Sequence, residues 1–272
     1  MIGVLLTSYK PDKKRIEYVK KAIISLDAQT KDPDEFCFVS DYITGETKQP
    51  NSIETELETY KRRHPSVKYT RLKYGGTIGE QLVYAISNMK SDYIIFLDDD
   101  DTFNSDKINI VSKALESSID IAFIHNDREY IDENDNSLGY VPTNYYFEGQ
   151  LWNKSAITIK KSIIDLTVLS KITNSEDNLL GYFALASGEN IISIRKILTY
   201  YRFLKNSAFH HKDPKDIYKY YKEAKNNFQI MEKYFIEAYE KGKYKYNKDI
   251  LFTLINIRII DCNAHLKNII NI

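Results

Sequence analysis

Four consecutive aspartates, Asp98, Asp99, Asp100 and Asp101, follow the apolar run Tyr93-Ile94-Ile95-Phe96-Leu97. Like charges at that spacing repel, and each carboxylate loses hydration beside a sheet. A hard divalent cation relieves both costs. Magnesium and manganese take oxygen ligands, often one or two carboxylates together with phosphate oxygens. Asp98 and Asp100 stand two apart and reach one site if the chain turns after the strand. The plainer alternative is an acidic loop capping the helix expected near Ser105.

The elements that must position this cluster are legible in the first hundred residues. Apolar runs at 2–6, 35–40 and 93–97 read as buried strands, and 67–72 alternates like a strand. Between them, Asp12 caps a helix running to about Gln29, whose Ile16, Val19, Ile23 and Leu26 recur at helical spacing. Residues 52–63 and 80–89 read as two more helices, the second after a Gly75-Gly76 turn. Alternating strands and helices specify an α/β fold with a parallel sheet. Ligands in such sheets bind beyond the carboxyl ends of the strands. Those ends carry Thr7-Ser8-Tyr9, Asp41, Lys73-Tyr74-Gly75-Gly76 and the four aspartates.

Further along, 105–117 reads as a helix, 119–124 as a strand and 132–136 as a turn. The aromatic, polar stretch 140–149 is expected as a loop over a cleft. Residues 156–159 read as a strand, 176–186 as a helix, and 190–194 and 197–203 as two strands. Two helices, 214–241 and 248–270, close the chain.

Composition narrows the classes. With 38 basic and 38 acidic side chains among 272 residues, the chain lacks the positive balance of a dedicated nucleic-acid binder. Hydrophobic content of 43% and charged content of 28% are those of a globular protein. Two cysteines, Cys37 and Cys262, offer neither a disulfide framework nor a cysteine zinc site. No targeting segment is visible, and no stretch approaches the ~20 apolar residues of a membrane span. A cytoplasmic location is expected.

With these residues in view, the chain resembles the inverting glycosyltransferases of family 2. The resemblance rests on Asp92-Tyr93-Ile94-Ile95-Phe96-Leu97-Asp98-Asp99-Asp100-Asp101 and extends through the next helix to Ile119-Asp120-Ile121-Ala122. It includes Val4-Leu5-Leu6-Thr7-Ser8-Tyr9, Asp41, Asn153-Lys154-Ser155-Ala156-Ile157-Thr158-Ile159, Glu176-Asp177 and Tyr200-Tyr201-Arg202. It covers about residues 1–205. It implies a GT-A (Rossmann-like), mainly parallel sheet flanked by helices over 1–212. Within that, 1–103 is the nucleotide-sugar-binding half and 104–212 the acceptor-side half. Residues 213–272 are left as a helical C-terminal extension.

The resemblance also implies an activity. A sugar would pass, with inversion, from a nucleotide-diphosphate sugar (a UDP-sugar favoured) to a hydroxyl of a glycan or lipid-linked acceptor. Asp98 would contact the ribose, and Asp100 with Asp98 would hold Mn2+ or Mg2+ against the diphosphate, with Asp99 or Asp101 assisting. Thr7, Ser8 and Tyr9 would meet the base, and Asp41 would accept a base N–H. Asp177, with Glu176 second, would take the acceptor's proton; both residues also suit the start of a helix simply as acids. Trp152 and Tyr146 are candidates to stack on the acceptor, or core aromatics.

The chain departs from the family in two places. Leu82-Val83-Tyr84 stands where an Arg-Asn pair is common, leaving Arg71 or Lys73 as substitute cations. Leu204 stands where a histidine is common, with His210-His211 later. Other readings are a binding module with a degenerate diphosphate site, a nucleotidyltransferase, or a haloacid-dehalogenase-like phosphatase with Asp98 as nucleophile. The Lys-Tyr run 241–248 suits either peripheral contact with an anionic membrane or a linker between helices that pack on the domain or on a second copy in a homodimer.

Overall fold

The computed structural model describes residues 1–8, 13–41, 53–117, 120–141, 152–204 and 213–270. Strands Ile2–Ser8 (β1), Glu35–Ser40 (β2), Lys68–Lys73 (β3) and Tyr93–Asp98 (β4) run parallel in the order β3-β2-β1-β4. Helices Lys13–Asp27 (α1), Ile53–Arg63 (α2) and Ile78–Asn88 (α3) connect them. The register pairs Thr7 with Asp98 and Ser8 with Ser40, so the carboxyl ends of β1, β2 and β4 lie level. Asp41 and the aspartate cluster therefore open on one edge of the sheet, where the α/β pattern predicts a ligand.

Alternate side chains of these strands feed two cores. Val4, Leu6, Phe36, Phe38, Ile95 and Leu97 pack with Val19, Ile23, Leu57 and Ile108 on one face. Leu5, Cys37, Val39, Ile94 and Phe96 pack with Leu82, Ile86 and later helices on the other. Such strands read as continuous apolar runs because both faces are covered. Each fully buried Leu, Ile, Val or Phe side chain contributes roughly 1.5–3 kcal/mol. Cys37 and Cys262 are both free and buried in the second core, and burial pushes the Cys37 thiol up to about 12.

Beyond β4 the sheet changes character. The elements are Thr102–Phe103 (β5), Lys107–Leu115 (α4), Ile121–Ile131 (β6), Ser137–Val141 (β7) and Ile157–Lys160 (β8). Leu166–Leu169 (α5), Glu176–Ser187 (α6), Asn190–Arg202 (β9), Pro214–Glu240 (α7) and Lys248–Ile270 (α8) follow. The order continues β4-β8-β6-β9-β5, with β7 on β6. β8 runs antiparallel to both β4 and β6, while β9 is parallel to β6. The sheet is thus parallel in its first half and mixed in its second.

Several expected boundaries move. β6 continues seven residues past Ile124, through His125-Asn126-Asp127-Arg128-Glu129, where buried polar residues hide the strand from a hydrophobic pattern. β9 is one strand rather than two; register shifts against β6 on either side of Asp127 absorb its exposed Arg195-Lys196. Tyr140 belongs to β7, not to a loop. The rest of that expected loop, with Tyr145, Tyr146 and Phe147, lies outside the described residues, as do Tyr9, Ser52, Ile119, His210 and His211.

The last two helices complete the second core. Phe228, Met231, Phe235, Leu251, Ile255 and Cys262 share it with β1, β4 and α6, and α6 is buried from Asn178 to Ala186. The Lys-Tyr connection is partly drawn in. Lys243 pairs with Asp165 and the Tyr234 hydroxyl, and Tyr244 packs on Phe235 with ring centroids 5.7 Å apart. Among the described residues no helix is long and apolar enough to cross a membrane.

Candidate active site

The carboxyl end of β4 turns sharply, with Asp101 N donating to the Asp98 carbonyl at 3.2 Å. Each aspartate of this turn has its own surroundings. Asp98 Oδ1 accepts from Thr7 Oγ1 at 3.3 Å and pairs with Lys154 Nζ at 2.6 Å. Its backbone N–H donates to Ser155 Oγ at 2.9 Å, which fixes the turn on the start of β8. Asp99 is 1% exposed. Its oxygens accept from Ser8 Oγ and from Arg15, whose Nε lies 2.9 Å away and whose terminal nitrogen lies 2.7 Å away. Asp101, equally buried, accepts from Arg202 N at 2.8 Å and Asn153 Nδ2 at 3.4 Å.

Asp100 is the least compensated. Among the described residues its side chain pairs with one Arg15 nitrogen at 3.3 Å, and it keeps 16% exposure. Burial pushes its pKa well above the usual carboxylate range; Arg15 opposes this, while Asp101, Asp99 and Asp98 add to it. Burial, with Asp98 adding to it, raises Asp101 to about 7. This pocket is short of positive charge.

Arg202 holds the turn from behind. Its Nε donates to the Asp100 carbonyl at 2.8 Å, another nitrogen donates to the Asp132 carbonyl at 2.8 Å, and its terminal nitrogen meets Asp135 at 2.5 Å. The guanidinium is fully buried and stacks 4.7 Å from the Tyr18 ring.

On the other side of Lys154, α6 begins with Glu176 and Asp177 after Ser175, which takes the left-handed conformation at φ 63°. Glu176 Oε1 lies 3.1 Å from the same Lys154 Nζ that holds Asp98. Asp177 accepts from Asn178 N at 2.8 Å and Asn178 Nδ2 at 3.0 Å. Burial and the Glu176 charge raise Asp177 to about 7 against the opposing pull of Asn178, Arg258 and Lys154. The last helices therefore reach the site: Arg258 on α8 and Tyr220 on α7 both feel the Asp177 charge.

The expected residues separate into groups. Thr7, Ser8, Asp98, Asp99, Asp100 and Glu176 form one hydrogen-bonded and ion-paired cluster, with Asp177 next to Glu176. Asp99 does not reach outward to a nucleotide as expected, because Ser8 and Arg15 enclose it. Asp41 stands half-buried just past β2. Trp152 is half-buried on Phe123 and Tyr182, at 5.9 and 5.8 Å, and over Gly181, where any Cβ would collide with its ring. That is a core contact. Arg71 stacks on Phe38 at 4.1 Å and pairs with Glu54 at 3.6 Å, while Lys73 is exposed at the end of β3.

Three cations that organise the cluster, Arg15, Lys154 and Arg202, carried no assigned role in the sequence. Arg15 sat in a basic run, Lys154 inside an apolar strand segment, and Arg202 beside two tyrosines. Their partners are remote in sequence, 84 residues away for Arg15 and Asp99.

Among the described residues, no group of three or more His, Cys, Asp or Glu side chains forms a metal cage. The donor set still fits a hard cation shared with phosphate, since Asp100 and Asp98 offer carboxylate oxygens in a pocket where the aspartates outnumber the cations paired with them. The phosphatase reading fits poorly. Its nucleophile follows the first strand of the domain, whereas Asp98 ends the fourth.

The fold is that of a GT-A-type α/β protein, with a carboxylate cluster at the carboxyl ends of its strands. A model of glycosyl transferase family 2 matches residues 11–163, more than half of the chain. The chain belongs to that family. Among curated protein sequences, none matches. The crystal structure of S. aureus TarS 1–349 is similar at TM-score 0.62 and 15% identity, over 96% of this chain and 71% of that one. The same protein in complex with UDP is similar at TM-score 0.56 and 17% identity, over 84% of this chain and 65% of that one. The mannosyltransferase PcManGT from Pyrobaculum calidifontis, in complex with GDP-Man and Mn2+, is similar at TM-score 0.57 and 11% identity, over 98% of this chain and 74% of that one. At these identities the likeness is one of fold.

Proposed function

We propose that this chain transfers a sugar, with inversion, from a nucleotide-diphosphate sugar to a hydroxyl of a glycan or lipid-linked acceptor. The observation that carries the reading is the acidic constellation itself, in a family 2 chain: the strand-end carboxylate Asp98 and the helix-start carboxylate Glu176 meet on one lysine, with Asp177 next to Glu176. UDP is the favoured nucleotide; similar folds bind UDP and GDP-Man.

The chain's own groups divide the work. Thr7 and Asp41 line the edge where the base would lie, and Asp98 would meet the ribose. Asp100, with Asp98, would hold Mn2+ or Mg2+, which when bound offsets the charge of the leaving diphosphate. Asp177 accepts the acceptor's hydroxyl proton as that oxygen attacks the anomeric carbon, and a pKa near 7 suits a base at neutral pH. Glu176 is neutralised by Lys154 and is the second choice.

The test is thermal stability with UDP, GDP, dTDP and CDP, each with and without Mn2+. A ligand bound only by the native state stabilises it by about 2.7 kcal/mol at a hundred times its Kd. A manganese-dependent rise with UDP, followed by transfer from a UDP-sugar, is the expected result. No rise with any nucleotide would remove the reading.

A further inference from the structure

Lys154 stands in the 3-10 turn Lys154–Ala156 that leads into β8. Its side chain is 5% exposed, yet its ammonium meets two carboxylates from two different elements. Asp98 ends β4, and Glu176 begins α6. Among the described residues no other cationic side chain forms an ion pair with either. Burial works against the ammonium's charge, but Asp98 and Glu176 outweigh it. A buried lysine so placed is unusual, since a buried charge is tolerated only when paired.

We propose that Lys154 is a positioning residue that gives Asp98, Glu176 and Asp177 their separate tasks. The proposal rests on the sugar-transfer reading above. Held by Lys154, Glu176 is neutralised, and Asp177 is left as the carboxylate that takes the proton. Held by Lys154 and Thr7, Asp98 keeps its second oxygen at a fixed angle towards the donor. Lys154 also sets the charge that the diphosphate meets. Asp98, Lys154 and Glu176 together carry one net negative charge; without Lys154 they carry two. It thus does in part what the cation missing at Leu82-Val83-Tyr84 would have done.

The experiment uses the full chain and UDP with Mn2+, titrated by calorimetry, alongside steady-state transfer. Lys154→Met should weaken UDP binding about tenfold or more, because one unit of uncompensated charge faces the diphosphate. The double variant Lys154→Met/Glu176→Gln restores the net charge. It should recover UDP affinity to within about threefold of wild type while kcat stays low, a split that lost packing would not produce. Lys154→Arg keeps the charge in a chain expected to fold even if the methionine variant does not. It should bind UDP normally but lose at least about tenfold in kcat, since at a 5% exposed position the larger, planar guanidinium must shift the two carboxylates from where the compact ammonium holds them. Wild-type UDP affinity in Lys154→Met, no recovery in the double variant, or unchanged kcat in Lys154→Arg would each overturn the proposal. A wild-type chain that binds none of the four nucleotides overturns the transfer reading itself, and the role of Lys154 with it.

Discussion

The turn after β4 and the start of α6 both present consecutive acids, and they manage them differently. In the turn, Asp98, Asp99 and Asp101 are each held by groups from distant elements, and Asp100 is left with a single arginine contact. At α6, Glu176 is paired with Lys154, and Asp177 has hydrogen bonds from its neighbour Asn178, with Arg258 and Lys154 acting on its charge from further away. In both regions the partnered acids build the site and one acid has fewer partners than its neighbours. The difference lies in what each underpartnered acid is suited for. Asp100 sits among three other aspartates, a setting for a cation. Asp177 has one acidic neighbour and a pKa near 7, a setting for a proton.

Replacing the underpartnered acids should therefore remove chemistry, while replacing a scaffold cation should remove stability. Asp177→Asn should lower kcat by about 10²–10⁴-fold, the usual worth of a general base, with UDP binding preserved. Full transfer activity in that variant would transfer the base role to Glu176 or elsewhere.

Arg202→Met makes the opposite change. It leaves the Asp100 and Asp132 carbonyls and Asp135 without a fully buried partner. Asp135 is 44% exposed and can turn to water, but a buried carbonyl left unsatisfied costs about 1–3 kcal/mol, so urea unfolding should shift by an amount of that order. A shift within about 0.5 kcal/mol, the range of ordinary surface changes, would mean that Arg202 is not a scaffold residue.

The smallest effect is on pH dependence. Because the base must be ionised, kcat/KM should fall about tenfold per unit as pH drops below the Asp177 pKa. Burial and Glu176 raise that pKa to about 7, and Arg258 opposes them. Arg258→Met should move the acidic limb to higher pH. A limb that stays in place in this variant would show that another group titrates there.

Within the first hundred residues the pattern of the chain foretold almost every element. Glu35–Ser40 forms as expected, and α1, α2, α3 and β4 end within two residues of their expected limits. These elements are buried on one stripe or on both faces, so their apolar spacing carries the signal. β6 was half missed because its second half is strand by pairing, not by hydrophobicity.

The sequence by itself determined that an α/β sheet would place Asp98 and its neighbours at a strand end, and that Glu176-Asp177 would begin a helix. Only the tertiary structure decided which of these acids are engaged. Lys154 reaches Asp98 across 56 positions' worth of chain and Glu176 across 22, Arg15 reaches Asp99 across 84, and Arg202 reaches Asp100 across 102. The physical reason is that periodicity records how one element meets the core, whereas an ion pair depends on how two elements meet each other. No local pattern encodes that distance, and it is what leaves Asp100 and Asp177 with fewer partners than the acids beside them.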